Sequence, residues 1–309
     1  MSKPICSVII PTFNHSRYIA RSIKCALDQS YPAVEVIVVD DGSTDDTLET
    51  VAPFLDRIVY HRKENAGLGA ARNTGIELSN GEYLQFLDAD DTIDREKLTT
   101  QIDFLEKNNE VAVVYSDCSC TDPDGRDIDD ASYPLGTDED ALPVLLRRTL
   151  SGVHANMVRR SAVLDAGMFD TSRVAQEDWE LWLKIALMGR VFRYQKGDLA
   201  HYDQTGSTMV SNPVLMYRRT RHLLDKFIAD PEFQRLEPDL RKDFVAHQNL
   251  QLATRAYNNG WWRAARIHFR AVAKADRNLL SGRYQSCIAK SYLHEFLDRL
   301  GGRAVSAPE

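Results

Sequence analysis

Residues Glu82–Asp94 read EYLQFLDADDTID, a short apolar run that ends in a cluster of carboxylates. The run Tyr83–Leu87 has the composition of a buried strand. Asp88, Asp90 and Asp91 follow it at once, and carboxylates packed at a strand end raise one another's energy unless a cation or a hydrogen-bonded ligand compensates. Hard oxygen ligands at this density suit Mg²⁺ or Mn²⁺, with phosphate oxygens completing the coordination shell. The stretch therefore predicts a strand whose carboxyl end carries a metal and phosphate site.

The same strand pattern recurs through the first 117 residues and alternates with helical periodicity. Four further Val- and Ile-rich runs read ICSVII (5–10), VEVIVVD (34–40), RIVYHR (57–62) and VAVVYSD (111–117). Helical patterns lie between the strands, over His15–Gln29, Thr44–Phe54, Leu68–Leu78 and Arg95–Lys107. This alternation predicts an α/β fold with a mostly parallel sheet flanked by helices. Ligands of such sheets bind outside the carboxyl ends of the strands, so the polar residues after each strand are the candidates for function.

The pattern changes after Asp117. Residues 121–127, TDPDGRD, predict a solvated hairpin, and 153–159 and 190–194 predict two more strands with an amphipathic helix between them. Beyond Asn212 only helical periodicity remains, including two helices joined at Asn258–Gly260. We therefore expect an α/β domain at 1–211 and a helical C-terminal region at 212–309.

The second predicted strand is followed by DDGSTDDT (40–47). Its later residues suit a helix start, with Ser43 or Thr44 as the N-cap and two acids in the first turn. Asp40 and Asp41 precede that turn, so helix capping does not explain them.

The segment NAGLGAARNTG (65–75) has the glycines of a dinucleotide-binding loop but fails the rest of that fingerprint. The third glycine would fall at Arg72, and the segment follows the third strand rather than the first. What remains is a glycine-containing helix start with Arg72 one turn in. Backbone N–H groups and a guanidinium suit an anionic group, although an ordinary helix with a solvated arginine fits the local pattern equally well.

Charge and cysteine content narrow the class of protein. The formal net charge of -7 argues against general nucleic-acid binding. The charge is uneven: residues 117–140 hold nine acids and one base, whereas 255–303 hold ten bases and three acids. Five cysteines without a paired framework suit a reducing compartment, and Cys118 and Cys120 lack the second ligand pair of a zinc site. With no signal-peptide pattern and no apolar run long enough to cross a bilayer, the sequence predicts a cytoplasmic protein.

Five motifs in order resemble those of family 2 glycosyltransferases, which are inverting enzymes of the GT-A fold. They are VIIPTFN, VIVVDDGSTDDT, NAGLGAARNTGI, EYLQFLDADD and QEDWELWLK, and they cover roughly Ile5 to Leu187. An ordered set of motifs is far more specific than any one of them. The resemblance implies a nucleotide-sugar-binding catalytic domain.

The resemblance also implies roles for the residues of the nucleotide pocket. Asp41 resembles the carboxylate that contacts the base or ribose, and Pro11 and Thr12 line the same pocket. Arg72 resembles the basic residue near the nucleotide. Pro11, Thr12 and Asp41 lie at the ends of predicted strands, and Arg72 lies one turn into a predicted helix.

The metal and the base are implied in the same way. Asp88 and Asp90 match the D-x-D pair, the first near ribose and metal and the second a direct ligand of Mn²⁺ or Mg²⁺, whereas Asp91 is expected only to start the next turn. Asp178, beside Glu177, resembles the catalytic base, although acids at these two positions also suit the first turn of an ordinary helix.

One segment departs from the family pattern. Many relatives carry an arginine and a histidine within a stretch like AHYDQTGSTMVS (200–211), where this chain has Asp203 and Thr205, with His201 earlier. A contribution of His201 to the metal or diphosphate is therefore open, and a structural histidine fits as well.

The function expected from the resemblance is metal-assisted, inverting transfer of a sugar, from a UDP-sugar by family expectation, to an acceptor hydroxyl in polysaccharide or glycoconjugate synthesis. Two alternatives stay open: a nucleotide-sugar-binding module without transfer, and a nucleotidyltransferase. The latter usually needs a glycine- and arginine-rich loop after the first strand, where this chain has PTFNHSRY (11–18). The sequence identifies neither the sugar nor the acceptor, which is a saccharide or a lipid-linked group.

The basic C-terminal segment, residues 255–303, suggests a membrane surface as a partner. The sequence predicts a basic amphipathic helix face there, made up of Trp261, Trp262, Arg263, Arg266 and Arg270. Such a face binds an anionic membrane surface, which would place the protein peripherally at the inner membrane face. The alternative is a solvated face whose tryptophans pack on the α/β domain or on a second subunit of a homo-oligomer.

Overall fold

The computed structural model describes residues 4–121, 126–128, 140–172, 176–203 and 212–300. The chain forms two compact units, Met1–Ser207 and Thr208–Glu309. The predicted boundary between 211 and 212 lies close to this division. Most of the predicted hairpin at 121–127 lies outside the described residues.

The N-terminal unit is built on one mixed β-sheet. Its strands are β1 Cys6–Thr12, β2 Val34–Asp40, β3 Val59–Arg62, β4 Tyr83–Phe86, β5 Thr92–Ile93, β6 Val111–Thr121, β7 Asp127–Ile128, β8 Asn156–Arg159 and β9 Val191–Asp203. They lie in the order β3-β2-β1-β4-β8-β6-β9-β5, with β7 paired to β6. The pairings among β3, β2, β1 and β4 are parallel, and β8 is antiparallel to both of its neighbours. β6 and β9 also pair in parallel. The polar clusters follow strands of the first parallel group, β1, β2 and β4.

Helices flank this sheet as predicted, and two short helices, Ala141–Leu145 and Arg160–Asp165, were not predicted. They are α1 Ile19–Leu27, α2 Thr47–Val51, α3 Leu68–Leu78, α4 Lys97–Lys107, α5 Ala141–Leu145, α6 Arg160–Asp165 and α7 Glu177–Leu187. The start of α2 differs from the prediction, because the helix begins at Thr47 and neither Ser43 nor Thr44 caps it. The Asp45 carboxylate accepts the Thr47 N–H instead, at 3.2 Å.

The central strands are buried on both faces. Val8, Ile10 and Val38 belong to one core cluster, whereas Ile37 and Val39 belong to another that includes a side chain of α3. Burying one such side chain contributes about 1.5–3 kcal/mol, so a one-residue slip of register would cost several times that amount. The edge strand β3 is the exception, being mostly exposed.

Two glycines set the position of α3. Gly67 precedes the helix with φ +92°, a conformation that favours glycine. Gly75 lies against β1, and a Cβ at this position would approach Ile9 Cγ2 to 2.3 Å. The start and the depth of α3 are therefore fixed, and with them the position of Arg72.

The C-terminal unit is helical, as predicted. Its helices are α8 Pro213–Ala229, α9 Pro231–Arg235, α10 Pro238–Asn258, α11 Trp262–Ala275 and α12 Gly282–Leu300. Gly260, with φ +74°, lies between α10 and α11 where the sequence predicts the helix stop. Among the described residues, no helix combines the length and the apolar character needed to cross a membrane.

The predicted basic face of this unit is only partly present. Trp261 is buried and packs edge-on against Tyr217, with ring centroids 5.3 Å apart. Trp262 donates its indole N–H to Asp298 at 2.6 Å. Arg266 is also buried and forms an ion pair with Glu295, so it does not contribute to a basic surface. The two tryptophans pack within the helical unit itself.

Candidate active site

The carboxyl ends of β1, β2 and β4 meet at one edge of the sheet. Thr12 pairs with Asp40 across β1 and β2, and the Asp41 N–H donates to the Thr12 carbonyl at 2.9 Å. At the end of β4, the Leu87 N–H donates to the Ile9 carbonyl at 3.0 Å. Parallel pairing therefore brings the DDGS and DADD segments, far apart in sequence, to the same edge.

Asp41 is buried and holds the loop that leads into α3. Its carboxylate accepts the Ala66 N–H at 3.0 Å, the Gly67 N–H at 2.7 Å and the Lys63 ammonium at 2.8 Å. Asp40 fixes the preceding turn by accepting the Ser43 N–H at 2.7 Å. The predicted contact of Asp41 with the nucleotide stays a prediction, and the structure adds a second role for this carboxylate in shaping the loop.

Pro11 and Thr12 are buried at the end of β1, at the same edge as Asp41. The Thr12 hydroxyl oxygen has no hydrogen-bond partner among the described residues. Buried polar atoms are normally paired, so an unpaired one at a ligand-binding edge is compatible with a partner that arrives with the ligand. The pocket assignment of both residues remains a prediction.

Arg72 joins the two predicted catalytic segments. Its guanidinium donates to Asp88 Oδ1 at 2.6 Å and to Glu177 Oε1 at 2.8 Å, and the side chain is 2% exposed. Burial, the largest effect, lowers its pKa, but the two carboxylates together raise the pKa above its usual value. The guanidinium also lies 5.3 Å from the centre of the Phe169 ring. Of the two readings of Arg72 left open by the sequence, the solvated arginine is therefore wrong.

Asp88 and Asp90 lie in the turn after β4, where the sequence places a metal. The Asp88 side chain is 30% exposed, and Arg72 occupies one of its oxygens. The backbone carbonyl of Asp90 accepts from Arg21 at 2.5 Å, which fixes the turn to α1. Among the described residues, no three His, Cys, Asp or Glu side chains form a cage for a metal. Two hard carboxylates fit a Mg²⁺ or Mn²⁺ ion that takes its other ligands from phosphate oxygens and water.

Asp91 does more than start a turn, contrary to the prediction. It is 1% exposed, and its carboxylate lies 3.0 Å from His154 Nδ1. On the other side of the imidazole, Nε2 lies 3.3 Å from Cys118 Sγ. Burial tends to lower the pKa of His154, but the interaction with the Asp91 carboxylate, helped by the contact with Cys118, raises it well above its ordinary value. A charged imidazole therefore compensates Asp91, and the pair ties the DADD turn to the segment preceding β8.

Asp178 stands at the start of α7, beside the Arg72 bridge. The preceding residue, Gln176, has φ 61°, a strained conformation for a residue other than glycine and one that is frequent at functional sites. Burial, followed by the charge of Glu177, raises the pKa of Asp178 to about 6. A base with a pKa near the working pH is well suited to accept a proton.

The end of β9 contributes residues that sequence reasoning did not assign. Asp203 forms an ion pair with Arg21, and its N–H donates to Asp91 at 3.2 Å. The ring of Tyr202 stacks on His154 with centroids 6.4 Å apart. His201 contacts the Ser119 hydroxyl at 2.7 Å across the pairing of β9 with β6, a contact that a structural histidine would make. Thr205 lies outside the described residues.

Comparison with known proteins identifies the family. The model of glycosyl transferase family 2 matches residues 7–166. The putative teichuronic acid biosynthesis glycosyltransferase TuaG of Bacillus subtilis is 31% identical over 68% of this chain and 83% of its own length. Uncharacterized glycosyltransferases of Rickettsia felis and Rickettsia typhi are 32% and 33% identical over 59% and 61% of this chain. The chain spans only 31% and 61% of the length of those two relatives.

Solved structures confirm the GT-A type fold. S. aureus TarS 1-349 in complex with UDP-GlcNAc superposes with a TM-score of 0.71 at 22% identity, over 97% of this chain and 92% of that one. The mannosyltransferase PcManGT of Pyrobaculum calidifontis, in complex with GDP-Man and Mn²⁺, gives a TM-score of 0.55 at 20% identity over 98% and 89% of the two chains. At these identities the likeness establishes the fold alone. Together with the family match over more than half of its residues, it shows that the chain belongs to glycosyltransferase family 2.

Proposed function

We propose that this protein transfers a sugar from a nucleotide sugar to an acceptor hydroxyl, with inversion at the anomeric carbon. The observation that carries the proposal is the Arg72 bridge, which holds Asp88 and Glu177 on one buried guanidinium. Because Asp178 follows Glu177 directly, the bridge sets the start of α7 beside the D-x-D turn. This proximity supports an inverting mechanism, in which a base and a phosphate-binding group act on opposite faces of one reacting carbon.

Each group has a defined part in the reaction. Asp178 accepts the proton of the acceptor hydroxyl, and its pKa of about 6 keeps most of it ionised at neutral pH. Asp90 and Asp88 would hold a divalent ion, which when bound stabilises the negative charge that develops on the departing nucleoside diphosphate. Arg72 orients Asp88 and Glu177 from within the protein. Asp41, with Pro11 and Thr12, forms the end of the pocket that receives the nucleoside.

The donor we propose is a UDP-sugar, supported by a similar fold solved with UDP-GlcNAc. The acceptor we propose is a hydroxyl of a growing polysaccharide or glycoconjugate, supported by the resemblance to a teichuronic acid biosynthesis enzyme. The ion we propose is Mn²⁺ or Mg²⁺, supported by the two-carboxylate turn and by the Mn²⁺ complex of PcManGT.

The test measures nucleoside diphosphate release from a panel of nucleotide sugars with Mn²⁺ and soluble saccharide acceptors, comparing the parent protein, Asp178→Asn, and Asp56→Asn as a matched control on an exposed turn. Removing the base is expected to lower the rate by about 10²–10⁴-fold while donor binding persists. The control is expected to behave like the parent. Transfer by Asp178→Asn within a few fold of the parent would refute the base, and retention of the donor's anomeric configuration in the product would refute inversion.

A further inference from the structure

Helix α11 presents a stripe of exposed cations with one apolar residue among them. The stripe consists of Arg263, Ile267, Arg270 and Lys274, all exposed. Their spacing of four, three and four residues places them on one side of the helix, because each residue adds about 100° of rotation. This basic stripe excludes Arg266, which faces α12 and is neutralised there.

The positive charge of this part of the chain is not balanced by its own acids. Residues 255–303 contain only three acids, and each is engaged elsewhere in the helical unit. Glu295 pairs with Arg266, Asp298 accepts from the Trp262 indole, and Asp276 accepts the Asn278 N–H at 2.9 Å. No acidic residue occurs within α11 itself. The stripe is therefore a locally cationic surface.

The apolar member of the stripe indicates which anionic partner fits. Ile267 is 54% exposed between the cations, and Tyr292 of α12, which is 49% exposed, receives a hydrogen bond from Arg270 at 2.7 Å. A single exposed apolar residue is ordinary on a protein surface. An apolar residue flanked by long cationic side chains, however, is the arrangement of a helix that lies on an anionic bilayer, with the side chain in the acyl boundary and the cations at the headgroups.

We propose that the basic stripe of α11 binds the surface of membranes that contain anionic lipids. The interaction is peripheral, electrostatic in its larger part, and independent of glycosyl transfer. A polyanion without an apolar phase, such as a nucleic acid, would use the three cations but gain nothing from Ile267.

The test is co-sedimentation of the full chain with vesicles of phosphatidylglycerol and phosphatidylcholine, and with vesicles of phosphatidylcholine alone. We expect binding to the anionic vesicles only, weakened by salt. Each cation near an anionic surface contributes about fivefold in affinity, so the variant Arg263→Gln, Arg270→Gln, Lys274→Gln should bind roughly 100-fold more weakly. Ile267→Ser should weaken binding to vesicles while leaving any binding to an oligonucleotide unchanged.

The matched control removes three exposed cations outside the stripe, in the variant Lys107→Gln, Arg283→Gln, Lys290→Gln. It should retain vesicle binding, and both variants should keep the parent's melting temperature and its transfer rate to a soluble acceptor. Equal loss in the control, equal binding to pure phosphatidylcholine, or no vesicle binding by the parent would each overturn the proposal. So would stripe-dependent binding to an oligonucleotide without binding to vesicles.

Discussion

Replacing Arg72 by Met removes the bridge between the DADD turn and α7. The guanidinium is 2% exposed and donates to Asp88 at 2.6 Å and to Glu177 at 2.8 Å. Deleting one partner of a buried ion pair typically costs about 3–5 kcal/mol, because a buried charge is left without compensation. Most of that cost should arise at Glu177, because its side chain is only 5% exposed. The Asp88 side chain is 30% exposed, so water can solvate its carboxylate when Arg72 is removed. We expect Arg72→Met to lower the free energy of unfolding by about 3 kcal/mol.

A second substitution distinguishes the free-energy cost of the unpaired buried charge from the cost of lost packing. In the double variant Arg72→Met, Glu177→Gln, the carboxylate that lost its partner is neutral, so about 2 kcal/mol of the loss should be recovered. The assay is urea unfolding of the parent, both single variants and the double variant. Circular dichroism and tryptophan fluorescence should be recorded together, because the chain has two compact units.

Catalysis provides an independent readout of the same bridge. Arg72→Lys keeps the charge but not the planar fork that contacts two carboxylates at once, so kcat/KM should fall by about tenfold or more while much of the stability remains. The reasoning is refuted if Arg72→Met unfolds within about 1 kcal/mol of the parent, or if the double variant is no more stable than Arg72→Met.

Four further predictions follow from individual contacts. Because the pKa of Asp178 is raised to about 6, kcat/KM should rise about tenfold per pH unit below pH 6 and level off above it, whereas a flat profile would contradict its role as the base. Asp90→Ala should abolish the Mn²⁺-dependent part of UDP binding in calorimetry, and unchanged affinity would exclude the metal role. Gly75→Ala should destabilise by about 1–3 kcal/mol in urea, because its Cβ would overlap Ile9. Burial lowers the pKa of Lys97 in the folded protein to about 7. Between pH 7 and about 10 the lysine is therefore protonated in the unfolded chain but largely neutral in the folded one, so the free energy of unfolding should rise with pH by up to about 1.4 kcal/mol per pH unit. The variant Lys97→Met should lose this dependence on pH.

Local patterns predicted the parts of the fold that local chemistry determines. The strands β1, β2 and β4 and helix α3 are found where apolar periodicity and glycines place them. Their carboxyl ends meet because parallel strands require it, so the convergence of the DDGS and DADD segments was also predictable. The length of α2 was not predictable, because the helix start depends on the Asp45 carboxylate rather than on the expected Ser43 or Thr44 cap.

Contacts between residues far apart in the chain could not be predicted from a single sequence. The Arg72–Glu177 bond joins residues 105 positions apart, and no local signal distinguishes a bridging arginine from a solvated one. The same holds for His154, which follows a glycine and a valine with nothing in its neighbours to mark it as the partner of an aspartate. Both side chains are buried cations beside the acidic cluster, and that proximity exists only in the folded chain.

The aspartates after β4 therefore differ in what offsets their charge. Arg72, which Asp88 shares with Glu177, offsets part of the charge of Asp88, and a protonated His154 compensates Asp91, so protein cations already stabilise two of the three carboxylates. These pairs and the contact of Arg21 with the Asp90 carbonyl hold the turn through protein contacts. A divalent ion that arrives with a diphosphate would then bind to a turn already in place, and its binding free energy would go into holding the leaving group rather than into folding the site.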